Sequence, residues 1–122
     1  MQPERRTNRS DNILEALGLQ LAATARRGGF TSLMLAEGQG VPVAFAGEDS
    51  EIEEIAAVAP SLAPGARPWR GRLRRESGCV QVSVMPISTR DGPLFLCAIG
   101  GHGPEVTADL LQGGLGICRI LT

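Results

Sequence analysis

Two apolar runs, residues 30–37 and 41–46, are separated only by Gly38-Gln39-Gly40. A link this short and glycine-rich between two strand-like runs marks a β-hairpin. Pro42 lacks an N–H, so the second strand either starts there or lies at a sheet edge at that point. The pattern repeats downstream. In residues 79–87, Val80, Val82 and Val84 alternate with Gln81, Ser83 and Met85, the period-two signature of a half-buried strand. Asp91-Gly92 then turns the chain into residues 93–99, a continuously apolar run expected to be central and covered on both faces. Residues 70–76 read as a short exposed strand before a turn at Ser77-Gly78. Strands joined in sequence by short turns argue for one antiparallel sheet flanked by helices.

Three segments carry helical spacing instead. Ile13, Leu14, Leu17, Leu21 and Ala25 recur at steps of three and four, after a possible cap at Ser10 or Asp11 and before a stop at Gly28-Gly29. Residues 49–62 open with an acidic turn, with Ser50 and Glu53 at capping-box spacing. Ile52, Ile55, Ala56, Ala59 and Leu62 supply a buried side, and Pro60 and Pro64 bring the helix to its end. The closing segment, 104–121, starts at Pro104 and carries Val106, Leu110, Ile117 and Ile120. Gly113, Gly114 and Gly116 in its interior imply either close packing against a neighbour or a break in the helix. The element order is α-β-β-α-β-β-β-α, an α/β (α+β) chain with a single antiparallel five-stranded sheet. Residues 1–9 read as a flexible polar leader and 10–122 as one domain.

The aromatic content is 3% and there is no Tyr, so the core is aliphatic, with Phe30, Phe45 and Phe95 as the larger fillers. A formal net charge of −1 gives no global field toward nucleic acid or an anionic membrane. No run of about 20 apolar residues suggests a membrane span, and the polar start has no signal-peptide character. Cys79, Cys97 and Cys118 lack paired spacing and read as reduced cytoplasmic thiols, mostly apolar fillers.

This arrangement resembles the Roadblock/LC7 domain, a profilin-like fold. The resemblance rests on the helix at 13–27 and the hairpin Gly29-Phe30-Thr31-Ser32-Leu33-Met34-Leu35-Ala36-Glu37-Gly38-Gln39-Gly40-Val41-Pro42-Val43-Ala44. The acidic-start helix at 49–62, the strand pair around Asp91-Gly92 and the closing helix complete it. It covers nearly the whole chain from residue 10. It implies a homodimer, or a heterodimer with another Roadblock subunit, and no catalytic residue. Bacterial members of this type bind and regulate small Ras-like GTPases; others serve as dynein light chains or scaffold subunits.

Residue chemistry points the same way. His102, the single histidine, has no partner for acid–base work or metal binding nearby in sequence. There is no nucleophile elbow, Walker-type loop or Cys-x-x-Cys. Gly100–Gly103 before a helix could hold a phosphate, but a plain strand-to-helix turn is the simpler reading. No cofactor or metal is implied. Arg70, Arg72 and Arg74 share one strand face. The simpler reading is that they protect a solvated edge strand; the other is a docking surface for an acidic partner, which Trp69 beside them supports. The candidate partner-binding residues are therefore Trp69, Arg70, Arg72 and Arg74, with Ile13, Leu17 and Leu21 on the first helix. A sheet covered on one face only would leave apolar surface for a second copy. The alternative is a GAF- or PAS-type small-ligand sensor, which requires a sizeable apolar pocket beside the sheet.

Overall fold

The computed structural model describes residues 2–48, 52–75, 78–101 and 103–121, with 2–11 and 75 as backbone alone. The chain forms helix α1 (Gln2–Gly28), strands β1 (Phe30–Glu37) and β2 (Pro42–Gly47), and helix α2 (Ile52–Leu62). A 3-10 turn (Pro64–Ala66) leads to strands β3 (Trp69–Arg75), β4 (Gly78–Thr89) and β5 (Gly92–Gly100), and helix α3 (Val106–Leu121) closes the chain. The expected order α-β-β-α-β-β-β-α is the observed one. All five strands pair antiparallel in one sheet, in the spatial order β2-β1-β5-β4-β3. The continuously apolar strand β5 is central, as its composition requires, and β2, with Pro42, is an edge.

Alternation along the strands divides the core into two layers. Leu33, Leu35, Met85, Ile87, Leu96 and Ala98 pack with Leu17 and Leu21 of α1 and with Val106, Leu110 and Ile117 of α3. On the opposite face Met34, Ala36, Val82, Val84, Phe95, Cys97 and Ile99 pack with Ile52, Ile55, Ala56 and Ala59 of α2. The sheet is thus covered on both faces, as expected for the 93–99 strand, and the one-sided cover considered as a reason for dimerisation is not what is found. It also corrects the reading of β4 as half-buried: Ser83 and Met85, on its supposedly polar side, are 3% and 7% exposed because α3 lies over them. Phe45 is not a core filler. It is 43% exposed, because β2 is an edge strand with a neighbour on one side only.

Helix boundaries differ in two places. α1 is helical from Gln2, so residues 2–9 continue the helix and Ser10 and Asp11 lie inside it rather than at its cap. Pro3 is tolerated in a first turn, and Gln2, Glu4, Arg5 and Arg6 favour helix. α2 runs past Pro60 to Leu62. The ring removes one N–H, but Ala63 N–H still donates to Ala59 C=O at 3.0 Å, so the last turn closes without it. The caps expected at Asp49 and Ser50, the turn at Ser77, and His102 lie outside the described residues.

Two glycines fix the connections. Gly29, at φ +68°, takes the left-handed conformation that ends α1. Gly40, at φ +83°, closes the β1–β2 hairpin against α2; a Cβ there would stand 2.9 Å from Ala57 Cα. The glycines of α3 resolve in favour of close packing: the helix is unbroken, and Gly113 and Gly116 meet Thr24 and Gln20 of α1. Arg27 Nε and Asp109 Oδ1, 3.9 Å apart, join the same two helices where α1 ends and α3 begins.

Candidate functional site

β3 positions the residues the sequence singles out. It pairs with β4 on one side only, so its other edge presents unpaired backbone groups. Directly opposed residues share a face, so the register places the β3 side chains from Trp69 to Arg74. Arg70, Arg72 and Arg74 oppose Ser83, Gln81 and Cys79, on the face that carries α1 and α3. Trp69, Gly71 and Leu73 oppose Val84, Val82 and Val80, on the face that carries α2. The three arginines therefore lie together as read, and Arg70, Arg72 and Arg74 are exposed. Trp69 is turned away from them and is half-buried. Gly71 makes this possible: a Cβ there would stand 2.7 Å from the Trp69 ring.

The α2 face is unevenly covered. α2 lies over β1 and β5, and Val82 and Val84 of β4 also pack into its layer, while Trp69 and Leu73 of β3 lie at the margin of that layer. Trp69, Leu73 and Val80 consequently stay partly buried at the margin of the core, with Leu62 beside them. Val58 is 44% exposed. Leu62, Trp69, Leu73 and Val80 form an apolar margin beside a free strand edge. Of these, sequence reasoning named only Trp69 as a partner residue. The signal for Leu73 was present, since it alternates with the arginines.

The candidate residues on α1 divide differently. Leu17 and Leu21 are 1% and 0% exposed in the chain's own core. Of the three, Ile13 alone keeps surface, at 39%.

Three clefts among the described residues bear on the small-ligand alternative; one, of about 530 Å³, lies between β2, the β4–β5 turn and the end of α3, lined by Val43, Thr89, Asp91, Leu94, Cys118 and Leu121. Another, of about 630 Å³ at the β2 edge, has Met34 and Ile52 at its floor and exposed Pro42, Phe45, Glu48 and Glu53 at its rim. Its volume is in the range of small-molecule sites, but it opens at the sheet edge, while the space between sheet and helices is filled with side chains. A smaller one, of about 120 Å³, lies between β3, β4 and the start of α3 and is lined by Trp69, Arg70, Ser83, Thr107 and Leu110.

Titratable chemistry is sparse. Among the described residues, no three His, Cys, Asp or Glu side chains converge to hold a metal ion. Burial pushes the Cys97 thiol up to about 12, so it stays protonated and is no nucleophile near neutral pH. Cys79 is exposed and Cys118 half-buried, and neither is in a disulfide. Among the described residues no helix is long and apolar enough to cross a membrane. What the surface offers is contact: a bare strand edge, an apolar margin on one face and a row of guanidinium groups on the other.

No family model and no curated protein matches the chain. Solved structures do. An MglB with a tetrameric arrangement superposes at TM-score 0.67 and 16% identity, over 88% of this chain and 89% of that one. The gliding protein MglB from Thermus thermophilus gives 0.65 and 16%, over 88% and 90%. A Roadblock/LC7 domain from Streptomyces avermitilis gives 0.52 and 17%, over 85% and 90%. At such identities the likeness is one of fold, and the fold is Roadblock/LC7-like.

Proposed function

We propose that this Roadblock/LC7-like chain is a non-catalytic cytoplasmic protein. In this reading it works as a dimer of itself or with another Roadblock subunit, and it binds and regulates, or scaffolds, a small Ras-like GTPase. The observation that carries the dimer is the incomplete cover of the α2 face. Trp69 and Leu73 of β3, with Leu62 and Val80 beside them, are only partly buried, and the outer edge of β3 has no partner strand among the described residues. A second copy related by a two-fold axis would present the same margin and the same edge, so the surface is complementary to itself. Trp is enriched at the energetic centres of interfaces, which makes Trp69 the anchor. Arg70, Arg72 and Arg74 lie on the other face and stay available to an acidic partner. The GTPase rests on fold-level analogy, which is a weaker warrant than a site. The tetrameric arrangement of one structural neighbour accords with a chain that assembles.

The reading is tested by measuring mass with light scattering at micromolar protein and then capturing Ras-like GTPases loaded with GDP or a GTP analogue. A dimeric mass that falls to the monomer in Leu73→Glu, with the far-UV spectrum retained, is expected. Binding that prefers one nucleotide state is expected in the second arm. A monomer at micromolar concentration would overturn the dimer, and absence of binding in both states would overturn the GTPase assignment.

A further inference from the structure

Ser83 is a buried hydroxyl with nothing to bond. It is 3% exposed, and its Oγ finds no hydrogen-bond partner among the described residues. Such a group is costly to leave unsatisfied, which is why buried polar atoms in folded proteins almost always have partners. Its placement follows from the strand. Val82 and Val84 point into the α2 layer, so Ser83 points to the other face, where its cross-strand neighbour is Arg70. There it lines the cleft of about 120 Å³, together with Arg70 and with Thr107 in the first turn of α3.

Three kinds of donor-bearing group thus line one small cleft, with the Ser83 Oγ buried and Pro68, Trp69, Val84, Met85 and Leu110 as the apolar remainder of the wall. The Arg70 guanidinium is a cation with a planar fork of N–H groups. The hydroxyls of Ser83 and Thr107 can each donate one hydrogen bond. The first turn of a 16-residue helix carries N–H groups without intrahelical partners and the positive end of the helix dipole. Two carboxylates lie at this helix end: exposed Glu105 just before the first turn, and Asp109 within it, which is turned from the cleft. Asp109 lies on the opposite flank of α3, toward Arg27 of α1. Arg72, two residues along the same face, adds a second cation beyond the cleft. The space is too small for a drug-sized ligand and suits a compact anion with several acceptor oxygens.

We propose that this cleft is a binding site for one phosphate group, held by Arg70, Ser83 and Thr107 at the start of α3. The phosphate is either free or borne on a side chain as a monoester; the chemistry of recognition is the same. The site is complete within one chain and does not require the proposed dimer, although Trp69 lines both the cleft and that surface.

The test is an amide NMR titration of the full chain with inorganic phosphate, at ionic strength held constant with chloride, and in parallel with phosphoserine. Saturating shifts centred on Arg70, Ser83 and Thr107 are expected. Tighter binding of phosphoserine assigns the site to a phosphorylated partner, and equal or tighter binding of inorganic phosphate assigns it to the free ion; both bear the proposal out. Arg70→Gln, on an exposed edge, should weaken binding about tenfold by removing one charge-assisted contact. Ser83→Ala should also weaken it while leaving the fold intact, because it deletes an unbonded hydroxyl and little volume. Shifts that grow linearly without saturation, or a Ser83→Ala chain that binds as well as the parent, would overturn the proposal.

Discussion

Three glycines within four residues of α3 make a controlled experiment, because the same substitution meets a different neighbour at each. In every case Gly→Ala gains helix propensity worth about 1 kcal/mol. At Gly114 the new methyl meets Ile87 at 3.5 Å, an ordinary contact, so the gain should survive. At Gly116 it meets the amide end of Gln20, which can swing aside, so the gain should survive in part. At Gly113 it stands 2.7 Å from Thr24 Oγ1 and 2.8 Å from Thr24 Cγ2. Thr24 cannot move cheaply: it is β-branched, fully buried, and its hydroxyl donates to Gln20 C=O at 2.9 Å. Overpacking of this kind costs about 1–3 kcal/mol. Gly113→Ala should therefore be net destabilising by about 1 kcal/mol and Gly114→Ala stabilising by about 0.5–1 kcal/mol. The two thermal midpoints should differ by roughly 4–8 °C for a domain of this size. Chemical denaturation and thermal melts at fixed protein concentration read both, with concentration held because assembly shifts apparent stability. Combining Gly113→Ala with Thr24→Ala should recover part of the loss, giving a coupling of about 0.5–2 kcal/mol. Equal stability of the Gly113 and Gly114 variants, with no coupling to Thr24, would refute the packing argument.

Other consequences are as direct. Cys97 is neutral in the folded chain with its thiol at about 12, while an unfolded thiol ionises near 9, so the folded state holds the extra proton between those values. Its contribution to stability is complete below about pH 9 and is lost at up to about 1.4 kcal/mol per pH unit as pH rises toward 12. Cys97→Ala should flatten that alkaline slope in denaturation curves. A thiol reagent at pH 8 should modify exposed Cys79 quickly and Cys97 only after unfolding. Gly71→Val should displace the single tryptophan, because its Cβ would stand 2.7 Å from the Trp69 ring. The expected readout is a red-shifted emission maximum with a loss of about 1–3 kcal/mol; unchanged emission would show that the ring does not lie over Gly71.

The sequence alone determined the elements and their order, because hydrophobic period and turn chemistry are local properties. The hairpin at Gly38-Gln39-Gly40, the stop at Gly28-Gly29 and the buried side of α2 are each fixed by residues a few positions apart. The shared face of Arg70, Arg72 and Arg74 follows from strand geometry in the same way. Tertiary structure decided what each face meets. Insertion of β5 between β1 and β4 joins residues far apart in sequence, and it left β2 and β3 as the edges. That placement exposes Phe45, while the helices laid over β4 bury Ser83. Period two tells which residues share a side; only the assembled layers tell whether that side is covered. For the same reason no local signal could show that Leu17 and Leu21 are sealed in the core, or that Ser83, Arg70 and Thr107 converge at the start of α3.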